Sequence, residues 1–138
     1  MAYFLTGTIG LDHYRATLRT QNHTWHADEP VDNGGQGSAP TPSQLVLSAL
    51  AACKLITTRM YADRKGWAVG KILVQLEMTV DYGARPAQTR ISCHLHAEGD
   101  LDEEQQQRLL TIADKCPTHR LLTGDVVVES EWYDNPVA

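Results

Sequence analysis

A chain of 138 residues, 42% hydrophobic and 21% charged, has the length and balance of one globular domain that buries roughly two thirds of its unfolded surface, which excludes a disordered or fibrous protein. With a net charge of −5 and no block of Lys or Arg, the sequence offers no phosphate-binding surface, so nucleic acid is not an expected partner. No stretch reads as the roughly 20 apolar residues of a membrane span and Met1 to Gly10 carries no basic leader, so a single domain over residues 1–138 is expected, cytoplasmic and without a membrane partner.

Residues 3 to 27 read as a β-meander: Tyr3 to Thr8, a turn at Gly10-Leu11-Asp12, Tyr14 to Thr20, a turn near Gln21-Asn22, and a short strand to His26. In the second strand Tyr14, Ala16 and Leu18 share one face, and Arg15, Thr17 and Arg19 the other. Residues 28 to 41 are dense in Gly, Pro and Asn and predict a long irregular loop. A helix should follow, because Thr41 can cap it, Pro42 suits its first position and Gln44 completes a capping box. Gly66 should stop it after about Lys65. From Leu45 to Ile56 this helix is apolar almost all round, as befits a central helix or one packed on a partner chain.

Alternation at Ile72, Val74, Leu76, Met78 and Val80, and again at Ile91, Cys93 and Leu95, predicts a hairpin about the turn Gly83 to Pro86. Asp102 and Gln105 open a second helix that runs to about Lys115. A short turn, Thr118 to Leu122, then leads to a last strand from Asp125 to Trp132. The order βββ-α-ββ-α-β with antiparallel hairpins gives an α+β class.

Three widely spaced cysteines, Cys53, Cys93 and Cys116, suit neither a disulfide framework nor a CxxC motif, and a single pair in a reducing compartment would be catalytic or redox-sensing. Taken alone, Cys53 reads as a small core residue beside Ala49 and Ala52, too far into its helix for the N-terminal dipole to act on it. Cys116 precedes Pro117 and lies close to His119 and Arg120, groups that favour a thiolate; local sequence leaves it open between a nucleophile and an inert helix end. Cys93 falls on the apolar phase of its strand. His94 and His96, with His23 and His26, make an incomplete zinc set, so no metal or other cofactor is expected. The run Gly34 to Gly37 lacks the Lys-Ser/Thr of a phosphate loop and reads as flexible. Asp28 and Glu29 could pair as acid and base but, before a proline in a loop, read as solvated charges.

The loop DEPVDNGGQGSAPTPSQL, the helix segment ALAACKLITTRMYADRKGW and the later EEQQQRLLTIADKCPTHRLLTGDV together resemble the osmotically inducible protein C and organic hydroperoxide resistance (OsmC/Ohr) superfamily, in its D-E-P branch. The resemblance implies an intertwined homodimer with antiparallel sheets wrapped around long central helices. It also implies that Cys53 attacks a hydroperoxide to give an alcohol and a sulfenic acid, that Cys116 resolves this as a disulfide, and that an external dithiol reduces it.

Peroxide-reducing members add an Arg from the second strand and a Glu ten residues before the reactive cysteine; here that position is Ser43. Arg15 and Arg19 both fit the Arg, with a lean to Arg15, and Asp28 or Glu29 could stand in for the carboxylate, with His119 also near the site. Two other readings use the same scaffold: a binding protein that holds an apolar or thiol-reactive small molecule without turnover, and a disulfide-exchange or sensor protein.

Overall fold

The computed structural model of the protein describes residues 1–134. Its elements are β1 (Thr6–Ile9), β2 (Ala16–Arg19), β3 (Thr24–Ala27), a 3-10 turn (Val31–Asn33), α1 (Pro42–Lys65), β4 (Ile72–Asp81), β5 (Gln88–Ala97), α2 (Glu103–Ala113) and α3 (Pro117–Thr123). The chain divides into two compact units, one of Met1–Ala52 with Val74–His94, the other of Cys53–Leu73 with the chain from Leu95 onward.

In the first unit β1, β2 and β3 form an antiparallel meander, with Thr6 opposite Arg19 and Ala16 opposite Ala27. β2 starts only at Ala16, and the Tyr14 N–H before it donates to the Asp28 carboxylate at 3.1 Å instead of to a ladder. Tyr3, Phe4 and Leu5 remain exposed.

The loop after β3 corrects two expectations. Asp28 is not a solvated charge but is only 2% exposed, and its carboxylate accepts from the N–H groups of Tyr14, Glu29 and Ser38 and from the Ser38 hydroxyl at 2.6 Å. Gly34 to Gly37 is likewise held rather than loose: Gly35 N–H donates to Pro30 O and Gly37 N–H to Glu29 O. A Cβ on Gly35 would stand 2.0 Å from Glu29 O, so only glycine permits this approach. Glu29 stays partly exposed and accepts from Asn33.

The ends of α1 follow their local chemistry. Thr41 Oγ1 accepts from the Gln44 N–H and Gln44 Oε1 from the Thr41 N–H, the reciprocal capping box that the sequence predicts. At the other end Gly66 takes φ +68°, Gly66 N–H donates to Asp63 O and Trp67 N–H to Ala62 O, a Schellman motif. By length and composition α1 could cross a membrane, against the expectation that no such stretch exists. It nevertheless buries the polar side chains of Lys54 and Thr58 and joins Arg59 to Asp63 along its own surface.

The second unit is built on Tyr61, Ala62 and Leu109, with Trp67, Val69, Leu95, Ala97, Leu101 and Ile112 packed against them. Asp102 and Gln105 form the second predicted capping box, at 2.7 and 3.0 Å. β4 and β5 pair as a two-stranded sheet and show the predicted alternation, with Ile72 to Val80 half-buried at every second residue and His94 and His96 exposed.

Two predicted elements differ. The turn Thr118 to Leu122 belongs to the helix α3, with Cys116 as its cap and Pro117 at its first position. The segment from Asp125 to Trp132 is not a strand: no ladder partner adjoins it among the described residues, and Val126, Val127, Val128 and Trp132 are exposed. The observed order is thus βββ-α-ββ-α-α, within the expected α+β class.

Candidate thiol site

Cys53 and Cys116 lie in the same unit and meet. α1 carries Cys53, half-buried, and the α2–α3 junction carries Cys116, which is 0% exposed. Because Pro117 starts α3 without an N–H, the first backbone donors available after it are those of Thr118 and His119. Thr118 N–H donates to Cys53 Sγ at 3.5 Å and His119 N–H to Cys116 Sγ at 3.3 Å. One turn of backbone therefore touches both sulfurs.

The two thiols are polarised in opposite senses. Burial works against ionisation of Cys53, but hydrogen bonds from the Thr118 side chain and N–H, from the Cys116 thiol and from Thr57 outweigh it and hold Cys53 below the ordinary thiol range. Burial pushes Cys116 up. The His119 N–H offsets part of this, the neighbouring Cys53 adds to it, and the charge of Lys54 opposes it. Cys53 is accordingly the more acidic thiol of the pair and Cys116 the less acidic.

Lys54 was missed by sequence reasoning. It is 2% exposed, and its Nζ lies 3.2 Å from Ala113 O, 3.0 Å from Asp114 Oδ1 and 3.0 Å from His119 Nδ1. A lysine ammonium has three protons, and these three acceptors use them all. His119 must then accept at Nδ1, which leaves its ring proton on Nε2. The one available signal was a lysine next to Cys53, the only charged residue in the run from Leu45 to Ile56.

The remaining candidates lie elsewhere. Arg15 and Arg19 are exposed in the first unit, Arg15 just before β2 and Arg19 at its end. Ser43 is exposed in the first turn of α1. Asp28 is committed to its own loop, and its four hydrogen bonds, that of the Ser38 hydroxyl foremost, hold its carboxyl far below the usual range. Cys93 is half-buried on β5. His26 meets Thr17 Oγ1 at 3.3 Å, and among the described residues no group of three or more His, Cys, Asp or Glu could hold a metal ion. A cleft of about 600 Å³, lined by Tyr61, Lys65, Trp67 and Arg108 among others, contains neither cysteine, so the geometry of the thiols and not the size of a cavity locates the site.

Solved structures share this architecture. An OsmC-like protein of Mycoplasma pneumoniae matches with a TM-score of 0.77 at 22% identity, covering 90% of this chain and 89% of that one. An organic hydroperoxide resistance protein OsmC of Legionella pneumophila matches with a TM-score of 0.69 at 20% identity, covering 90% and 92%. The organic hydroperoxide resistance protein OhrB of Bacillus subtilis gives 0.63 at 20%, covering 89% and 93%. At such identities the likeness is one of fold. No curated protein matches the sequence. The model of the OsmC-like protein family matches residues 35–131, a span that takes in the end of the loop before α1, α1 with Cys53, and the α2–α3 junction with Cys116. The chain belongs to the OsmC-like protein family.

Proposed function

We propose that the protein is a thiol-dependent hydroperoxide reductase of stress defence, acting in the cytoplasm as a homodimer with Cys53 as nucleophile and Cys116 as resolving thiol. The observation that carries this reading is that one turn of backbone reaches both sulfurs, through the Thr118 N–H to Cys53 and the His119 N–H to Cys116, while the two thiols are pushed apart in acidity. Relatives of the same fold are organic hydroperoxide resistance proteins, which supports the substrate class.

In the first step the Cys53 thiolate attacks the terminal peroxide oxygen of ROOH. The O–O bond breaks, the alkoxide takes a proton to leave as alcohol, and Cys53 becomes a sulfenic acid. Cys116 then displaces hydroxide from that sulfur, giving a disulfide and water, and an external dithiol returns both thiols.

Peroxide consumption with dithiothreitol as reductant tests the proposal, comparing cumene and tert-butyl hydroperoxides with hydrogen peroxide. Turnover of the organic substrates, lost in Cys53→Ser, is the expected result; no turnover of any of the three overturns it. A second reading, ligand binding without turnover, is favoured by Ser43, which stands where peroxide-reducing members of the family carry a Glu. Ser43 is neutral, and Asp28, the carboxylate that could replace a glutamate there, is consumed by its loop. Ligand affinity retained in Cys53→Ser, with no peroxide consumption by the native protein, would select it.

A further inference from the structure

A lysine inside a protein core is costly unless its charge is paired and its protons are used, so a fully buried one marks a place where the chain is held for a reason. Lys54 follows Cys53 directly on α1, and all three of its partners lie in the segment that carries Cys116: Ala113 O and Asp114 Oδ1 just before it, His119 Nδ1 just after. These contacts span 59 to 65 residues of sequence, so local structure does not create them. They bracket Cys116 on both sides.

We propose that Lys54 is the positioning residue of the resolving step, clamping the α2–α3 junction to α1 so that Cys116 is held against Cys53 and its thiolate forms beside a fixed positive charge. The inference rests on the thiol-pair reading above. In the step concerned, the Cys116 thiol loses its proton and its sulfur attacks the Cys53 sulfenic sulfur. The Cys53 S–O bond breaks, and the departing hydroxide takes up the proton to leave as water; the hydroperoxide consumed earlier is the only oxidant.

The charged and titratable groups around Cys116 are few. From α1 come Cys53 and Lys54, and from its own segment Asp114, Lys115, His119 and Arg120. Lys54 is the group among them whose charge favours the Cys116 thiolate from the opposite element, with the His119 N–H assisting from the same turn. Asp114 neutralises part of that charge at 3.0 Å and is itself more than half exposed. The two therefore act on Cys116 with opposite signs.

The test treats the reduced full-length protein with one equivalent of cumene hydroperoxide and quenches it at intervals. Mass spectrometry follows the Cys53 sulfenic acid as its dimedone adduct, and the Cys53–Cys116 disulfide, across pH. In Lys54→Met the sulfenic acid should form at nearly the native rate while disulfide closure slows at least about tenfold and its pH midpoint rises by about one unit. Lys54→Arg should recover most of the rate and the native midpoint. Asp114→Asn, which keeps a side-chain oxygen for the Lys54 ammonium while removing the negative charge, should lower the midpoint, with circular dichroism confirming that the variant is folded.

Native closure rates in Lys54→Met overturn the proposal, as does slowing without a midpoint shift, or a midpoint that rises in Asp114→Asn. A parallel oxidation by diamide separates this inference from the peroxidase reading, because diamide closes a thiol pair without any peroxide. If the native protein ignores hydroperoxide but its diamide-driven closure depends on Lys54 as above, the peroxidase reading fails and the positioning role stands.

Discussion

The backbone N–H of Thr118 donates to the sulfur of Cys53 at 3.5 Å, across 65 residues of sequence. Thr118 also lowers the pKa of that thiol through its side chain, the strongest of the groups opposing burial. Thr118→Val keeps the N–H and the side-chain volume but removes the hydroxyl. The pH midpoint for alkylation of Cys53 by iodoacetamide should rise by about one unit in this variant and return in Thr118→Ser. Peptide mass spectrometry across pH reads the change, and an unmoved midpoint would sink this account of the thiol.

The opposite polarisation of the pair predicts an order of reaction. At pH 7 Cys53 should be alkylated at least about tenfold faster than Cys116, which is both buried and pushed up. In Cys116→Ser, a Cys53 sulfenic acid formed by hydroperoxide should persist and be trapped by dimedone, whereas in the native protein it should vanish into disulfide. Equal alkylation rates, or a native adduct as strong as that of the variant, would count against the assigned roles.

Asp28 gives a prediction about acid stability. Its folded carboxyl lies below the ordinary value of 3.8, so folding binds fewer protons there than the unfolded chain does. The stabilisation is complete above about pH 4 and is lost as pH falls toward the folded value. Asp28→Asn should lower Tm at pH 7 by on the order of 5 °C, because one amide group cannot accept from all four of its donors. Below pH 3 the gap between native and variant should narrow. Thermal unfolding by circular dichroism at a series of pH values checks this, and a constant gap would refute it.

What the sequence made legible was local. The Thr41–Gln44 and Asp102–Gln105 boxes and Gly66 are signals read within four residues, and they set the observed starts of both longer helices and the end of α1. The strand alternation of β4 and β5 is equally local. Asp28 and Lys54 were misread or missed because their partners come from elsewhere: Tyr14 and Ser38 for the first, the α2–α3 junction for the second. α3 escaped because its cap is a cysteine sulfur, a weak acceptor that sequence rules do not count among capping groups. The segment from Asp125 to Trp132 has strand composition, but a ladder needs a partner that composition does not name.

The outer face of α1 bears on the proposed homodimer. Ile56 is 55% and Met60 61% exposed, and Val46, Ala49 and Ala52 continue the same side of the helix at spacings of three and four. A helix seldom leaves such a stripe to water, and a second copy of α1 would cover it while the small alanines let the two backbones approach. Ile56→Glu placed there would face a like charge from the other copy in a symmetric interface, so repulsion and desolvation would act together. Light scattering after size exclusion should report a dimer for the native protein and a monomer for Ile56→Glu, with Ile56→Leu remaining dimeric. A native monomer, or an Ile56→Glu dimer at micromolar concentration, would remove α1 as the interface.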